Sequence, residues 1–442
     1  MGIARILFGT AIIFTLLTLV KDYPPYRLYL VDFALVPMLL VTIFQRMSLP
    51  SRLRIRWQGI DTLFILFALS VLLAFMFSEN TRQSAVTFID WIRIILFYFL
   101  CRMLFQKQIQ DKTLFRVFTL GSVILIVIGL IQLVTNSSFG LIGNYFGLGN
   151  AQGVEANVAG FGSRARVSGT TSNPIIFAMW VTLFALIVAA RFNYRGRTIL
   201  FFAVTGAGAV VVLSTLSRGA IAAFALTWLI FVFMNRKQLV RNVVYGSVLL
   251  VMAMPLAYLG LQESLIADVA EMVEARIERQ ELLEEDSGRV KVFRIAQELL
   301  KEPKIFMVGT GPDNMMPAYN KFGEGVSFRE NPNVVYQRSG VHNVWMKVFV
   351  EYGVASFVLF VLIWLSILRH TYRLWKQHRF DERARLWASI GFAFFIPYIL
   401  IDSMVYESAM TYHIYIPLFA LVAWLVTQNV TMQNAQREAR AA

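Results

Sequence analysis

Runs of about twenty mostly apolar residues recur roughly twelve times along this chain, and nothing else limits its fold so strongly. A helix of that length covers the ~30 Å hydrocarbon core of a bilayer at 1.5 Å per residue, and satisfies its backbone polar groups internally. Spans are expected at 2–20, 26–45, 59–77, 88–105, 114–135, 174–191, 198–216, 219–234, 241–261, 343–368, 384–404 and 411–428. The N-terminal run has no small-residue cleavage signal and reads as the first retained span. With 15% of its 442 residues charged, against about 25% in soluble domains, the chain is an all-α polytopic membrane protein.

One segment breaks the pattern. Residues 262–341 are polar and carry fourteen Asp/Glu and ten Lys/Arg, so a chain of net charge +14 has a net −4 there and +18 elsewhere. The expected organisation is spans one to nine in 1–261, one large helical loop in 262–341, and spans ten to twelve in 342–442. The positive surplus lies in alternate short connections around Arg52–Arg56, Lys107, Arg195, Arg236 and Arg379. The positive-inside rule makes these cytoplasmic, together with both termini. A surplus spent on orientation argues against nucleic acid and leaves membrane lipids as the surrounding partner.

Every long connection then faces outward, and the chemistry is expected there. The first, 136–173, is rich in glycine, which lets backbone approach a ligand closely, and it ends with Asn173-Pro174, an N-cap followed by proline at the first helical position. Arg164 and Arg166 lie just upstream. The run from 198 to 234 would stretch about 55 Å as one helix, so a hairpin with Arg218 at its outer turn is expected. Within the long loop, Ile266, Val269, Val273 and Ile277 mark one amphipathic helix, and Arg289 opens a second that stops at Pro303. Residues 305–341 carry several Gly and Pro, suited to an irregular, mobile lid.

Four histidines are available. His370 and His378 fall in a basic connection and read as solvated, and His413 opens the last span as a packing residue. His342 stands outside, at the start of span ten, where an imidazole can take a proton from a hydroxyl at neutral pH. Arg164, Arg166, Arg218 and Arg289 supply planar guanidinium forks that match phosphate oxygens. Zinc-ligand spacing, a Walker loop and a GxSxG elbow are all missing, and the outer carboxylates are scattered, so neither metal nor cofactor is expected. Asp90 and Arg93, three apart, are expected to pair with each other. Cys101 reads as a small buried hydrophobe.

Arg166-Val-Ser-Gly169, Ser217-Arg218-Gly219, Ser287-Gly288-Arg289, Val308-Gly-Thr-Gly311, His342-Asn343 and Glu351-Tyr-Gly353, in that order, resemble the bacterial O-antigen ligase and polymerase superfamily, most closely its ligases. The resemblance covers roughly residues 160–360. It implies a multi-span, GT-C-like glycosyltransferase of the inner membrane, working at the periplasmic face without cofactor. The donor would be an undecaprenyl-diphosphate-linked O-antigen, and the acceptor a sugar hydroxyl of lipid A core. His342 would be the base, with Arg289, Arg218, Arg166 and Arg164 holding the diphosphate. An O-antigen polymerase is the nearest alternative. A transporter is a remoter one, because the two halves are not alike and no paired broken helices are seen.

Overall fold

A computed structural model describes residues 2–17, 20–23, 26–48, 56–78, 80–107, 109–135, 167–171, 173–215, 217–235, 288–315, 318, 343–377, 382–402 and 412–441. Thirteen helices form among them: α1 (Gly2–Leu16), α2 (Asp32–Ser48), α3 (Gly59–Met76), α4 (Thr81–Lys107), α5 (Asp111–Thr135), α6 (Pro174–Tyr194), α7 (Thr198–Ser214), α8 (Arg218–Met234), α9 (Gly288–Leu299), α10 (Pro303–Val308), α11 (Val344–Gln377), α12 (Glu382–Pro397) and α13 (Tyr412–Ala441). Eleven of the twelve expected spans correspond to one helix each, seven of them long and apolar enough to cross a bilayer and four shorter. The protein is an all-α polytopic membrane protein. The span expected at 241–261, the helix expected around 266–277, and Arg164, Arg166, His342 and His378 lie outside the described residues, as do the side chains of Arg289 and His413.

The second span begins later than expected. Val20–Tyr23 and Tyr26–Tyr29 pair as an antiparallel β-ribbon, and the helix starts only at Asp32, whose Oδ2 accepts the Tyr29 backbone N–H at 2.9 Å. The Tyr29 hydroxyl donates to Asp90, which bonds Arg93 at 3.0 Å as expected, and Arg93 also reaches Asp32 at 3.5 Å. Of these four contacts, Tyr29–Asp90 ties the ribbon directly to α4, and Arg93–Asp32 ties α4 to the start of α2.

Burial separates central from peripheral helices. The apolar windows of α6 and α13 are 83% buried, those of α3 and α5 only 33%. Leu69 and Leu73 of α3 and Val123 and Val127 of α5 are exposed, as lipid-facing side chains are. Helix α13 packs chiefly on α4, α6 on α7 and α5, and α11 on α3 and α12. At one end of the bundle the fully buried Arg102 bonds Asp61 at 3.3 Å, Thr427 at 3.0 Å and the Arg56 carbonyl at 3.0 Å, joining α3, α4 and α13. Cys101, beside it, is buried in the apolar core.

At the same end His370 departs from the sequence reading. Helix α11 runs on past the expected end of its span, so His370 is buried, and its Nδ1 lies 2.8 Å from the Asn429 side-chain amide. The neighbouring arginines suggested a solvated loop; the helical register turns the ring inward.

The 198–234 run divides as the hairpin reading requires, into α7 and α8, with Ser217 just before α8 and Arg218 as its first helical residue. Helix α11 is itself broken. Gly353 takes φ 79° and ψ 176°, leaving a short outer piece, Val344 to Tyr352, and a long inner one. A Cβ there would lie 2.4 Å from the Met307 carbonyl oxygen.

Gly353→Ala should therefore lower the thermal midpoint of the detergent-solubilised protein, by strain of about 1–3 kcal/mol plus the clash. Gly196, at φ 69° with open space around its Cβ position, is the control: Gly196→Ala should cost only about 1–2 kcal/mol from backbone conformation. Equal midpoints for the two variants would refute the close-approach account.

Candidate functional site

Two motifs far apart in sequence meet as one structure. Breaking α11 at Gly353 orphans the last carbonyls of its outer piece, and the 308–311 segment supplies the missing donors. Thr310 N–H donates to the Val350 carbonyl at 2.9 Å, and Gly311 N–H to the Glu351 carbonyl at 3.0 Å. Both glycines of this segment have positive φ, 79° at Gly309 and 91° at Gly311. A Cβ on Gly309 would lie 2.3 Å from the Glu351 oxygen, and one on Gly311 2.4 Å from Ser78 Cβ. Val308-Gly-Thr-Gly311 and Glu351-Tyr-Gly353 are therefore halves of one backbone clasp.

A small apolar core lies beneath it. Ile295, Ala296 and Leu299 of α9, Ile305 of α10, Met315, Ala318 and Val350 pack together, apart from the main core of the bundle. The amphipathic face of α9 thus docks on the outer piece of α11, which explains why the pattern from Arg289 to Leu300 is helical. Arg289 is the second residue of α9, in its first turn as expected. The mobile-lid reading of 305–341 is corrected for its first part: residues 305–315 are anchored by the clasp and this core.

Polar side chains close the arrangement. Lys347 Nζ bonds Asp313 Oδ1 at 2.7 Å and lies 3.7 Å from Glu351 Oε1. Asp313 N–H donates to Glu351 Oε2 at 3.0 Å, and the Thr87 hydroxyl of α4 donates to Asp313 Oδ2 at 2.7 Å. The Asn314 amide meets Ser78 and Ser84, and the Ser84 hydroxyl donates to the Pro312 carbonyl at 2.8 Å. From within the bundle, Trp91 Nε1–H donates to the Tyr352 hydroxyl at 3.1 Å. Asp313 was visible in the sequence only as one scattered outer carboxylate. Its partners lie 34, 38 and 226 residues away, and no short-range pattern marks them.

His342 immediately precedes this assembly in the chain. Asn343 begins the described helix as a cap: its Oδ1 accepts the Met346 N–H at 3.0 Å and its carbonyl the Lys347 N–H at 2.9 Å.

A second anchor lies at the α7–α8 turn. Val167 N–H donates to the Ser214 carbonyl at 3.2 Å, tying the chain just after Arg166 to the turn that carries Arg218. Buried Gln132 of α5 holds the same segment. Its Oε1 accepts from Ser168 N–H at 3.1 Å and Gly169 N–H at 2.8 Å, while its amide donates to the Gly169 carbonyl at 2.7 Å. Gly169 has φ 59° and packs on Phe177, so no side chain fits. Asn173 then caps α6, accepting from Ile175 N–H at 2.9 Å with Pro174 at the first helical position, as the sequence requires. Arg218 is exposed at the N-terminus of α8. Gln132 was missed because a lone polar residue in an apolar run gives no sign of what it bonds.

Each contact joins helix ends that the charge pattern assigns to one side: the ends of α3, α5 and α7 and the starts of α4, α6, α8 and α11. Arg218 stands at the α8 N-terminus, and the clasp fixes the helix that follows His342.

Residues 201–361, 161 of the 442, match the family described as O-antigen ligase. The match runs from α7 through the clasp and past Gly353, and it takes in Arg218, Arg289 and His342. No curated protein matches the chain.

Gln132→Ala should leave the buried Ser168 and Gly169 N–H groups without their acceptor, at about 1–3 kcal/mol each. Amide exchange at 168–169 should accelerate by at least roughly tenfold while exchange in α13 is unchanged. Equal protection in the variant and the parent would show that the segment is held by other means.

Proposed function

We propose that this chain, a member of the O-antigen ligase and polymerase superfamily, transfers O-antigen polysaccharide from undecaprenyl diphosphate to a sugar hydroxyl of lipid A core, at the periplasmic face of the bacterial inner membrane. The observation that carries the reading is the coincidence of the family match over 201–361 with the clasp and with the arginine-bearing helix starts of α8 and α9. Ligase or polymerase activity is what the family supports in common; the ligase assignment rests on the sequence motifs.

In the mechanism, the His342 imidazole takes the proton of the acceptor hydroxyl as that oxygen attacks the anomeric carbon. The oxygen approaches opposite the departing diphosphate, so the centre inverts. Arg289 and Arg218, with Arg166 and Arg164, hold the diphosphate. Negative charge grows on that leaving group as the glycosidic bond breaks, so cations already aimed at it stabilise the transition state more than the ground state. Fixed guanidiniums do there the work a divalent metal does in other glycosyltransferases. The α8 N-terminus adds backbone N–H groups and a partial positive charge beside Arg218.

In proteoliposomes supplied with both lipid substrates, His342→Ala and Arg289→Ala should abolish transfer while the protein stays folded. Arg289→Lys should recover little, since an ammonium cannot make the two-pronged contact. Near-normal turnover by His342→Ala would remove the base assignment. Offering lipid A core in one reaction and a second undecaprenyl-linked repeat in another separates ligase from polymerase by which acceptor is extended.

A further inference from the structure

The ion cluster behind the clasp has no part in the chemistry just described, yet its construction is specific. Lys347 has a side-chain exposure of 9% and Glu351 of 3%, so this is not the surface pair whose worth is near zero. Two carboxylates share one ammonium, more than neutralisation needs. Buried charge of this kind is weak as a source of stability and useful mainly for fixing one arrangement over others. The four members come from three segments: Thr87 from α4, Asp313 from the loop after α10, and Lys347 and Glu351 from successive turns of the outer piece of α11. Asp313 is the one described non-glycine residue with positive φ, 56°, a conformation that aims its carboxylate at Lys347 and its N–H at Glu351.

The axis so fixed matters because of what precedes it. Asn343 caps the helix and accepts the Lys347 N–H, so one turn of hydrogen-bonded backbone connects the ion cluster to the peptide that follows His342. We propose that Lys347 is a positioning residue for the transfer reaction. Through Asp313 and Glu351 it locks the 309–314 loop and α4 onto the start of α11, and thereby holds the height and angle at which His342 meets the acceptor hydroxyl. The proposal rests on the reading of His342 as the base. Lys347 acts through the helix, its ammonium turned to the two carboxylates.

The test uses full-length protein in proteoliposomes, with undecaprenyl-diphosphate-linked O-antigen and lipid A core as substrates. A misplacement of about 1 Å can cost on the order of 100-fold in rate, so Lys347→Met should lower kcat by roughly 10- to 100-fold and move either KM by less than about threefold. Lys347→Arg should recover most of the loss. The exchange pair Lys347→Asp with Asp313→Lys should be faster than either single change by at least roughly tenfold. If Lys347→Met lowers the yield of folded protein too far to assay, Asp313→Asn, which keeps the side-chain shape, should show the same kcat-selective loss. Unchanged kcat in folded Lys347→Met, a rise in KM at constant kcat, or loss that merely follows the folded fraction would each overturn the proposal. His342→Ala is assayed in parallel. If it transfers normally, the base reading falls whatever Lys347 does; if it is inactive while Lys347→Met runs at the parent rate, only the positioning proposal falls.

Discussion

One end of the helix bundle depends on two glycines that let backbone touch backbone. Gly309 and Gly353 sit where a Cβ would collide with the carbonyl of the opposing strand of chain, Glu351 in one case and Met307 in the other. The break at Gly353 would be unfavourable alone, since it orphans helix carbonyls at the edge of a membrane. Thr310 and Gly311 answer it with their N–H groups. An unmet acceptor there would cost about 1–3 kcal/mol apiece, so break and loop are each tolerable only in the presence of the other. The ion cluster, the small apolar core and the docking of α9 are all built around that mutual requirement.

The bundle was largely legible beforehand. A bilayer demands apolar runs of a given length, and composition records that demand directly, which is why eleven helices match expected spans. Local chemistry was equally readable where its partners are near in sequence: the Asn173-Pro174 cap, the Asp90–Arg93 pair and the start of α9 at Gly288. What stayed hidden is long-range. Nothing near Asp313 announces Thr87 or Lys347, and nothing near Gln132 announces Gly169. At His370 the charged neighbours point to exposure, whereas a helix alternates its faces every few residues and turns this ring inward.

The two ends of the bundle solve their polar problems differently. At one end, Arg102, Asp61 and Thr427 form a closed set with both charges fully buried, joining three helices. At the other, the charged set is graded from the 3% exposure of Glu351 to the 31% of Asp313, so it opens toward the surface where the family motifs gather. An enclosed ion pair suits a fastening, and a graded one suits the rim of a working surface.

The twelve residues from His342 to Gly353 act as a ruler. Each residue of helix contributes about 1.5 Å of rise and 100° of rotation. Adding or deleting one between Asn343 and Tyr352 would swing everything before it by more than a quarter turn, while the clasp held the far end still. Length changes in the connection before His342 carry no such gearing. Length before Asn343 can change without moving the helix that the clasp fixes, and length after it cannot.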